Sequence, residues 1–358
     1  MDKQRNRIYI IRWSILGLLL LSIFLCRMNP QPGEWYAREV YPILSVVLGS
    51  FSSLVPFSLE ELLAIVAGGG LLAYPFVARR RGRKWKTILR NELESVLWLY
   101  AWFYWGWGMN YFRKSFYTRT HTQRTSYDEV RFRTFLQTYT DSLNASYCPV
   151  ARLRQEQIHQ SIQRQYGLLP SSYGLLVPQK YQTPKSLWCT PLYSGVGVLG
   201  YMGPFFNEMQ VNEDLLPIQY PFTYAHELSH LLGVSNEAEA NFWAYQTCIR
   251  SEWKEIRCSG YFSLLPYVMV NARTVLSETN YTAWCSTIRN EVVRELEEKQ
   301  HYWQTRYSPL LGAVQDKIYD LFLKGNRISS GKKNYAEVIQ MILSMEESSK
   351  CKMGNGRP

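Results

Sequence analysis

Three long apolar segments in the first third of the chain decide the environment in which it can fold. The segment from Ile8 to Cys26 is almost unbroken and is close to the roughly 20 residues that a helix needs to cross a membrane. Two later segments, 60–78 and 95–112, contain glycine, proline and many aromatic residues, all of which membrane helices tolerate. The sequence therefore predicts a three-helix transmembrane region, at about 8–26, 60–78 and 95–112.

The charge distribution indicates how this region is oriented. Residues 1–114 hold 15 Lys and Arg against seven Asp and Glu, whereas residues 115–358 hold 25 against 22. Seven of the basic residues lie in the segment 79–90 and three in the N-terminal tail, but the connection after the first apolar segment has only Arg27 and Arg38. The positive-inside rule then places the N-terminus in the cytoplasm and the chain after residue 114 outside. The net charge of +11 is thus a topology signal, and no nucleic-acid partner is expected.

The segment 41–57 is also apolar, but Pro42, Gly49 and Pro56 interrupt it. We expect it to lie at the membrane interface or to form a re-entrant stretch, and a fourth crossing is the alternative. The membrane region then ends at residue 114. Residues 115–348 are long enough for a core of their own and are expected to form an extracytoplasmic domain, followed by a flexible tail at 349–358.

Beyond the membrane region, the residue pattern predicts an α+β fold that is mainly helical. Apolar residues at helical spacing indicate helices in 115–165, whereas Gly, Pro, Ser and Tyr in 166–220 indicate short strands and turns. Further helices are expected at 222–232, 236–256, 261–277, 279–303, 308–324 and 334–348. The six cysteines outside the first apolar segment allow 15 disulfide pairings, and free thiols are the alternative.

The residues that indicate chemistry lie in one segment. His226 to His230 matches the pattern H-E-x-x-H. In a helix, positions i and i+4 share a face, so both imidazoles can bind one metal ion. Glu227 then lies beside the ion, where its carboxylate can take a proton from an attacking water. The pattern predicts a zinc site with Glu227 as the general base, and two helix histidines beside a surface glutamate are the alternative.

A catalytic zinc site of this kind needs a third protein ligand. Gly233 can end the first helix and Ser235 or Asn236 can cap a second one, which directs the start of the second helix back toward the histidines. Glu237 and Asn241 share a face of that second helix, whereas Glu239 points elsewhere. We therefore predict Glu237 as the third ligand and Asn241 as the hydrogen-bond partner of a ligand histidine, with Glu239 as the alternative ligand.

Together these residues resemble the gluzincin metallopeptidases, some of which are membrane proteins with E-x-x-A-D on the second helix. Asn241 stands where those enzymes usually have aspartate, and the interval from His230 to Glu237 is shorter than theirs. The whole chain more closely resembles a family of uncharacterised bacterial membrane proteins, a domain of unknown function, in segments 107–113, 207–212, 226–233 and 237–242.

This resemblance implies a multi-pass protein of the bacterial inner membrane, with a zincin-like metallopeptidase domain at 115–348 and Zn²⁺ as its cofactor. By the same resemblance, Glu208 to Asn212 is expected to run along the active-site cleft and to pair with an extended peptide. The group that stabilises the oxyanion is open among four side chains, which are Tyr224, Tyr281, His301 and Arg306.

The sequence as a whole predicts a membrane-anchored zinc metallopeptidase that hydrolyses peptide bonds, with a peptide or protein substrate and the lipid bilayer as its surroundings. One alternative is a zinc-binding sensor or scaffold without peptidase activity, although a structural zinc site has no need of a general base. A zinc amidase that acts on cell-wall peptides is the other. Gly195-x-Gly197-x-x-Gly200 lacks a βαβ frame, so no dinucleotide site is expected.

Overall fold

The computed structural model describes residues 2–126, 128–149, 153–326 and 335–354. Within these residues the chain is mainly helical and has three short strands, which confirms the predicted helical character. The chain forms two compact units. The first comprises residues 1–114 together with Gly203–Glu208, and the second comprises residues 115–202 and 209–358.

The N-terminal unit is built from helices joined by short connections. Residues 36–40 form a π-helical turn and residues 108–112 a 3₁₀ helix. The α-helices of this unit are α1 (Asp2–Met28), α2 (Pro30–Trp35), α3 (Tyr41–Ser53), α4 (Leu59–Arg80) and α5 (Trp85–Gly106).

Two stretches of this unit, Arg7–Met28 and Leu59–Arg80, are long and apolar enough to cross a membrane, and few of their residues are buried within the protein. The third predicted span does not meet that description, because α5 carries charged residues such as Arg90 and Glu94 in its first half and ends at Gly106. The segment 41–57 forms α3, whose 13 residues reach only about 20 Å. These features support membrane association, while the crossings and their orientation stay predictions.

The N-terminal unit includes a short piece of distant sequence, Gly203–Glu208. The carboxylate of Glu208 accepts hydrogen bonds from the hydroxyls of Ser52 (2.7 Å) and Ser58 (2.8 Å) and from the backbone N–H of Glu60 (2.9 Å). Asn207, whose backbone is left-handed (φ 53°), accepts a hydrogen bond from Ser45. Buried polar groups therefore fix this segment within the unit.

The C-terminal unit contains the remaining elements. Its strands are β1 (Lys185–Ser186), β2 (Gly200–Gly203, whose last residue groups with the other unit) and β3 (Glu208–Val211, whose first residue does so). Its helices are α6 (Phe116–Thr120), α7 (Glu129–Ser146), α8 (Gln155–Gly167), α9 (Thr190–Gly195), α10 (Tyr220–Leu231), α11 (Glu237–Ile249), α12 (Lys254–Val275), α13 (Glu278–Cys285), α14 (Asn290–Gln304), α15 (Pro309–Gly325) and α16 (Tyr335–Gly354).

The core of this unit surrounds α11, which is buried from Ala238 to Cys248. Large apolar side chains of neighbouring helices, among them Phe132 and Phe262, pack into the same cluster as Phe242 and Trp243. A helix enclosed on all sides is held more tightly than a surface helix, because most of its side chains lose contact with water on folding. The core therefore fixes the first turn of α11, where Glu237 lies.

The three strands form a small sheet in the order β1-β3-β2, in which β1 is parallel to β3. Every residue of β3 is buried. The prediction that Glu208 to Asn212 forms the cleft strand is therefore wrong, because β3 is the central strand and has neighbours on both sides. The outer strands of the sheet are β1 and β2.

Several helix boundaries differ from those that the sequence pattern predicts. The expected helix 236–256 ends at Ile249 and α12 begins at Lys254, since the side chain of Arg257 binds the carbonyls of Ser251 and Glu252 between them. The expected helix 279–303 divides into α13 and α14. At the C-terminus α16 continues to Gly354, which extends helix into the expected tail, and residues 355–358 lie outside the described residues.

Candidate metal centre

The two histidines of the H-E-x-x-H segment lie on one face of α10. Pro221 occupies the first turn of this helix, where the missing N–H costs no hydrogen bond. His226 and His230 are four positions apart in the helix, and their Nε2 atoms lie 3.2 Å apart. The helix therefore brings two nitrogen donors to one point, as the spacing predicts.

A tight turn after α10 adds a carboxylate to this pair. Gly233 adopts a left-handed conformation (φ 93°) that favours glycine, and Asn236 caps α11 by accepting a hydrogen bond from the N–H of Glu239. The turn places Oε2 of Glu237 3.2 Å from Nε2 of His226 and 3.8 Å from Nε2 of His230. The structure thus brings together the three side chains that the sequence predicts as ligands.

Hydrogen bonds to the other ring nitrogens fix the orientation of both imidazoles. Nδ1 of His226 lies 3.0 Å from Oδ1 of Asn241, and Nδ1 of His230 lies 2.7 Å from the carbonyl of Val234. Both partners are acceptors, so each Nδ1 carries a proton, and Nε2 is the atom of each ring that can bind an ion at the shared point. The amide of Asn241 is held in turn by the hydroxyl of Tyr267, which accepts from Nδ2 at 3.1 Å.

These distances fit a tetrahedral metal ion. Ligand atoms about 2.0–2.1 Å from a tetrahedral centre lie about 3.3 Å from one another. The separations of the three donor atoms, 3.2, 3.2 and 3.8 Å, are close to that value. His226, Glu227 and His230 also form a group whose donor atoms could hold a metal ion. The donor set suits zinc, although imidazole and carboxylate also bind other divalent metals.

Glu227 lies beside this point in a dry environment. Only 5% of its surface is exposed, and burial raises the pKa of its carboxyl although the two histidines partly oppose this effect. The backbone of β2 passes close to it: a Cβ atom on Gly200 would lie 2.9 Å from Cγ of Glu227. A buried carboxyl with a raised pKa holds a proton more readily than an exposed one, which suits a group that takes up and then releases a proton.

Charge interactions also link the three donors. Burial tends to lower the pKa of His230, but the carboxylates of Glu237 and Glu227 raise it to about 9. Burial opposes ionisation of Glu237, but His230 and His226 hold its pKa well below the usual range. A metal ion must displace the proton of His230 to bind there, so binding would release a proton.

Glu239 has a different role from the one that the sequence leaves open. Its carboxylate forms a buried ion pair with the guanidinium of Arg119 and accepts a hydrogen bond from Nε1 of Trp243 (2.9 Å). Arg119 also donates to the carbonyl of Tyr173 (2.7 Å). Glu239 is therefore a core residue whose charge is balanced by Arg119. It is neither solvated nor part of the group around His226.

The four candidates for the oxyanion-stabilising group make contacts away from the histidine pair. Tyr224 is fully buried, and its hydroxyl donates to the carbonyl of Gln182. Arg306 pairs with Asp214, and Tyr281 lies beneath the guanidinium of Arg273. His301 is exposed on α14. No described contact places any of the four beside the metal candidates.

Sequence reasoning missed three contributors to the site: Gly200, Arg119 and Tyr267. Each lies far along the chain from the H-E-x-x-H segment and has no motif of its own. In the sequence, Gly200 belongs only to the weak G-x-G-x-x-G pattern. Tertiary folding alone brings Tyr267, on α12, to the amide of Asn241.

Fold and site together define a mainly helical protein with two helices apolar enough for a membrane and a histidine–glutamate group that could hold a metal ion. The chain belongs to the family described as protein of unknown function (DUF3810), which matches residues 36–343. This match confirms the resemblance to a domain of unknown function and says nothing of a metal or an activity. No curated protein and no solved structure matches the chain.

Proposed function

We propose that this protein is a membrane-anchored, zinc-dependent metallopeptidase. His226, His230 and Glu237 hold the zinc ion, and Glu227 acts as the general base. The peptidase domain lies outside the cytoplasmic membrane, in the orientation that the positive-inside rule predicts. The substrate is a peptide or protein near the outer membrane surface.

One observation carries this proposal: three metal-binding atoms from two helices converge within 3.2–3.8 Å, with a buried carboxylate next to them. A purely structural zinc site is normally closed by four protein ligands and needs no such carboxylate. Glu237 and His226 retain 27% and 15% of their side-chain exposure, so the group remains accessible from one side. An accessible three-ligand group beside a buried base favours hydrolysis over a scaffold role.

The protein side chains divide the chemical work. Asn241 and the carbonyl of Val234 hold both imidazoles in the tautomer that presents Nε2. When bound, zinc supplies a Lewis acid that polarises the scissile carbonyl and acidifies water. Glu227 takes the proton of the attacking water and then delivers it to the leaving amine, as its raised pKa allows.

The substrate chain has a natural place along β2. This strand is at the edge of the sheet, and its first residue, Gly200, lies against Glu227. An extended peptide that adds to β2 as a further strand would gain backbone hydrogen bonds and bring its carbonyl groups past the general base. We therefore transfer the substrate-binding role from β3 to β2.

The proposal is tested on the full-length protein purified in detergent. Metal content is measured by mass spectrometry for the wild type and for Glu227→Gln, and both are incubated with a mixed peptide library. We expect about one zinc per chain in both proteins, and cleavage that falls at least a hundredfold in Glu227→Gln. Glu297→Gln is the matched control, because Glu297 is exposed on α14.

Three outcomes would overturn the proposal. Zinc-free wild-type protein that also fails to bind added zinc would remove the metal site. Zinc binding without any Glu227-dependent cleavage would favour the sensor or scaffold alternative. If only cell-wall peptides are cut, the amidase alternative replaces the peptidase.

A further inference from the structure

The N-terminal unit contains a cavity of about 910 Å³ between α1, α4 and α5. It belongs wholly to this unit and is separate from the metal centre. Its lining combines charged side chains, such as Arg83, Arg90 and Glu92, with apolar ones, such as Leu71 and Trp98.

The cavity has a polar end and an apolar end. Along α5 and the turn before it, the lining begins with Arg83 and Arg90 and finishes with Trp98 and Trp102. The helix α4 runs in the opposite direction, because a turn of only four residues joins the two. Asn91 on α5 donates a hydrogen bond to the hydroxyl of Tyr74 on α4, so the polar ends of the two helices lie side by side. An occupant of this cavity must therefore be amphipathic along its length.

The charges at the polar end are not balanced. Arg12 pairs with Glu94, which neutralises both. Within the described residues neither Arg83 nor Arg90 forms an ion pair with a carboxylate, and Arg90 lies over the ring of Tyr9. The three arginines and two glutamates leave a net charge of +1. Two guanidinium groups facing one cavity suit a phosphate group.

Glu92 adds a second requirement on the occupant. One of its carboxylate oxygens is buried and has no hydrogen-bond partner among the residues that the structure describes. A buried acceptor of this kind is costly unless it receives a hydrogen bond. The headgroup that binds the arginines should therefore also carry a donor such as a hydroxyl.

The glycines of α4 leave room at the apolar end. Gly68, Gly69 and Gly70 weaken the interior of a helix, and close packing does not explain them, because a Cβ atom on any of them would meet nothing within 4 Å. Gly70 lines the cavity. Its missing side chain widens the space beside Leu71 and Val66, where an acyl chain can lie.

We propose that this cavity binds one molecule of an anionic phospholipid. The phosphate lies between Arg83 and Arg90, a headgroup hydroxyl donates to Glu92, and an acyl chain follows Gly70 toward Trp102. A single phosphate charge neutralises the cavity. The proposal rests on the membrane location of these helices and is independent of the peptidase activity.

The test measures lipid binding to the full-length protein in detergent by native mass spectrometry. Phosphatidylglycerol is titrated against the wild type and against R83A/R90A. We expect the double variant to bind it at least tenfold more weakly, since each arginine contributes to the attraction of an anionic headgroup. The matched control is R80A/R81A, which removes the same charge from exposed positions outside the cavity and should bind as the wild type does.

A second pair of variants tests the apolar end. Gly70→Leu fills the cavity and should weaken lipid binding several-fold without loss of thermal stability, because the added side chain meets open space. Gly69→Leu makes the same change at a position that does not line the cavity and should have no effect.

Three results would overturn the proposal. The first is equal loss of binding in R83A/R90A and R80A/R81A, which would indicate attraction by the overall charge. The second is equal binding of phosphatidylcholine, which lacks both the net charge and the hydroxyl donor. The third is binding of glycerol phosphate as tight as that of the lipid, which would indicate a site for a free phosphate ester.

Discussion

Two glutamates at the start of α11 have different roles although only one residue separates them. Glu237 faces the histidine pair, whereas Glu239 is buried against Arg119 and Trp243. The helix turns by about 100° per residue, so positions two apart point in nearly opposite directions. The sequence favours Glu237 on this ground, and the ion pair of Glu239 explains why a second acidic residue is present.

The two glutamates can be separated by isosteric substitution. Glu239→Gln leaves the guanidinium of Arg119 buried without its counter-ion, so we expect the free energy of unfolding to fall by about 3–5 kcal/mol. Glu237→Gln should weaken zinc binding at least a hundredfold and, in the zinc-free protein, lower the thermal midpoint less than Glu239→Gln does. Thermal unfolding followed by fluorescence and zinc titration against a chelator measure the two effects.

If Glu239→Gln lost zinc binding and Glu237→Gln lost stability instead, Glu239 would be the ligand. Arg119→Lys is a useful companion variant because it keeps the charge and loses the paired geometry. It should destabilise the protein less than Glu239→Gln and should retain zinc.

His159 makes the stability of the C-terminal unit depend on pH. Its ring stacks on Tyr224 and lies 2.9 Å from the hydroxyl of Tyr220, both on α10, and burial lowers its pKa from 6.5 to about 4. The unfolded chain therefore binds this proton more readily between pH 6.5 and pH 4. Neutral, buried His159 therefore contributes to the free energy of unfolding above pH 6.5. This contribution is lost as the pH falls through 4, and it amounts to about 3 kcal/mol for a shift of this size.

We expect the thermal midpoint of the wild type to fall more steeply between pH 6.5 and pH 4 than that of His159→Gln. The exposed residue His301 provides the control, since His301→Gln should follow the wild type across this range. Parallel curves for the wild type and His159→Gln would show that His159 does not carry this dependence.

At the scale of elements, the approach of β2 to α10 is the contact that most affects the site. A Cβ atom on Gly200 would lie 2.9 Å from the carbonyl oxygen of Gln210 and 2.9 Å from Cγ of Glu227. The backbone carbonyl cannot move away easily because β3 is the central strand. Glycine at position 200 therefore lets the strand lie directly against the general base.

Gly200→Ala should displace β2 or Glu227, lower stability by about 1–3 kcal/mol and reduce any Glu227-dependent cleavage at least tenfold. Gly195→Ala is the matched control, because a Cβ atom there would meet only a carbonyl oxygen at 3.8 Å, an ordinary contact. Peptide cleavage and thermal unfolding are measured on both variants. Full activity of Gly200→Ala would remove β2 from the proposed substrate path.

The order of elements was partly predictable from the sequence. The helix expected at 222–232 is α10, Tyr220–Leu231, because Pro221 and the apolar spacing are local signals. The break between α11 and α12 was not predictable, since it depends on the side chain of Arg257 capping two carbonyls from the following helix. The central position of β3 was missed because four residues give no information on how many neighbours a strand has.

At the scale of the whole molecule, the chain passes between the two units three times, after residues 114, 202 and 208. The segment Gly203–Glu208 therefore links the fold of the N-terminal unit to the strands β2 and β3. Its carboxylate, Glu208, is 5% exposed and is held by donors from Ser52, Ser58 and Glu60. These hydrogen bonds fix the segment that joins the two strands within the N-terminal unit.

Glu208→Ala would leave three buried donors without this acceptor. We expect a loss of stability of about 3 kcal/mol or more, seen as a lower thermal midpoint of the full-length protein in detergent. Glu213→Ala, at an exposed position shortly after β3, is the control and should unfold like the wild type. An unchanged midpoint in Glu208→Ala would show that these hydrogen bonds contribute little.

The sequence by itself determined the features that depend on local spacing. Apolar runs define the two helices suited to a membrane, and the i, i+4 spacing of His226 and His230 places them on one face. Side chains that are near in sequence on a helix are near in space whatever the rest of the fold does. Even Glu237 was within reach of this reasoning, because only a short turn separates it from α10.

Only the tertiary structure decided the features that depend on distant segments meeting. It assigned Glu239 to Arg119, placed Tyr267 on Asn241, set β2 against Glu227 and gathered Gly203–Glu208 with the N-terminal unit. Each of these contacts joins residues between 26 and 166 positions apart in the chain. Such contacts form because burial of the core around α11 leaves one packing arrangement, and no local pattern records which partners that packing selects.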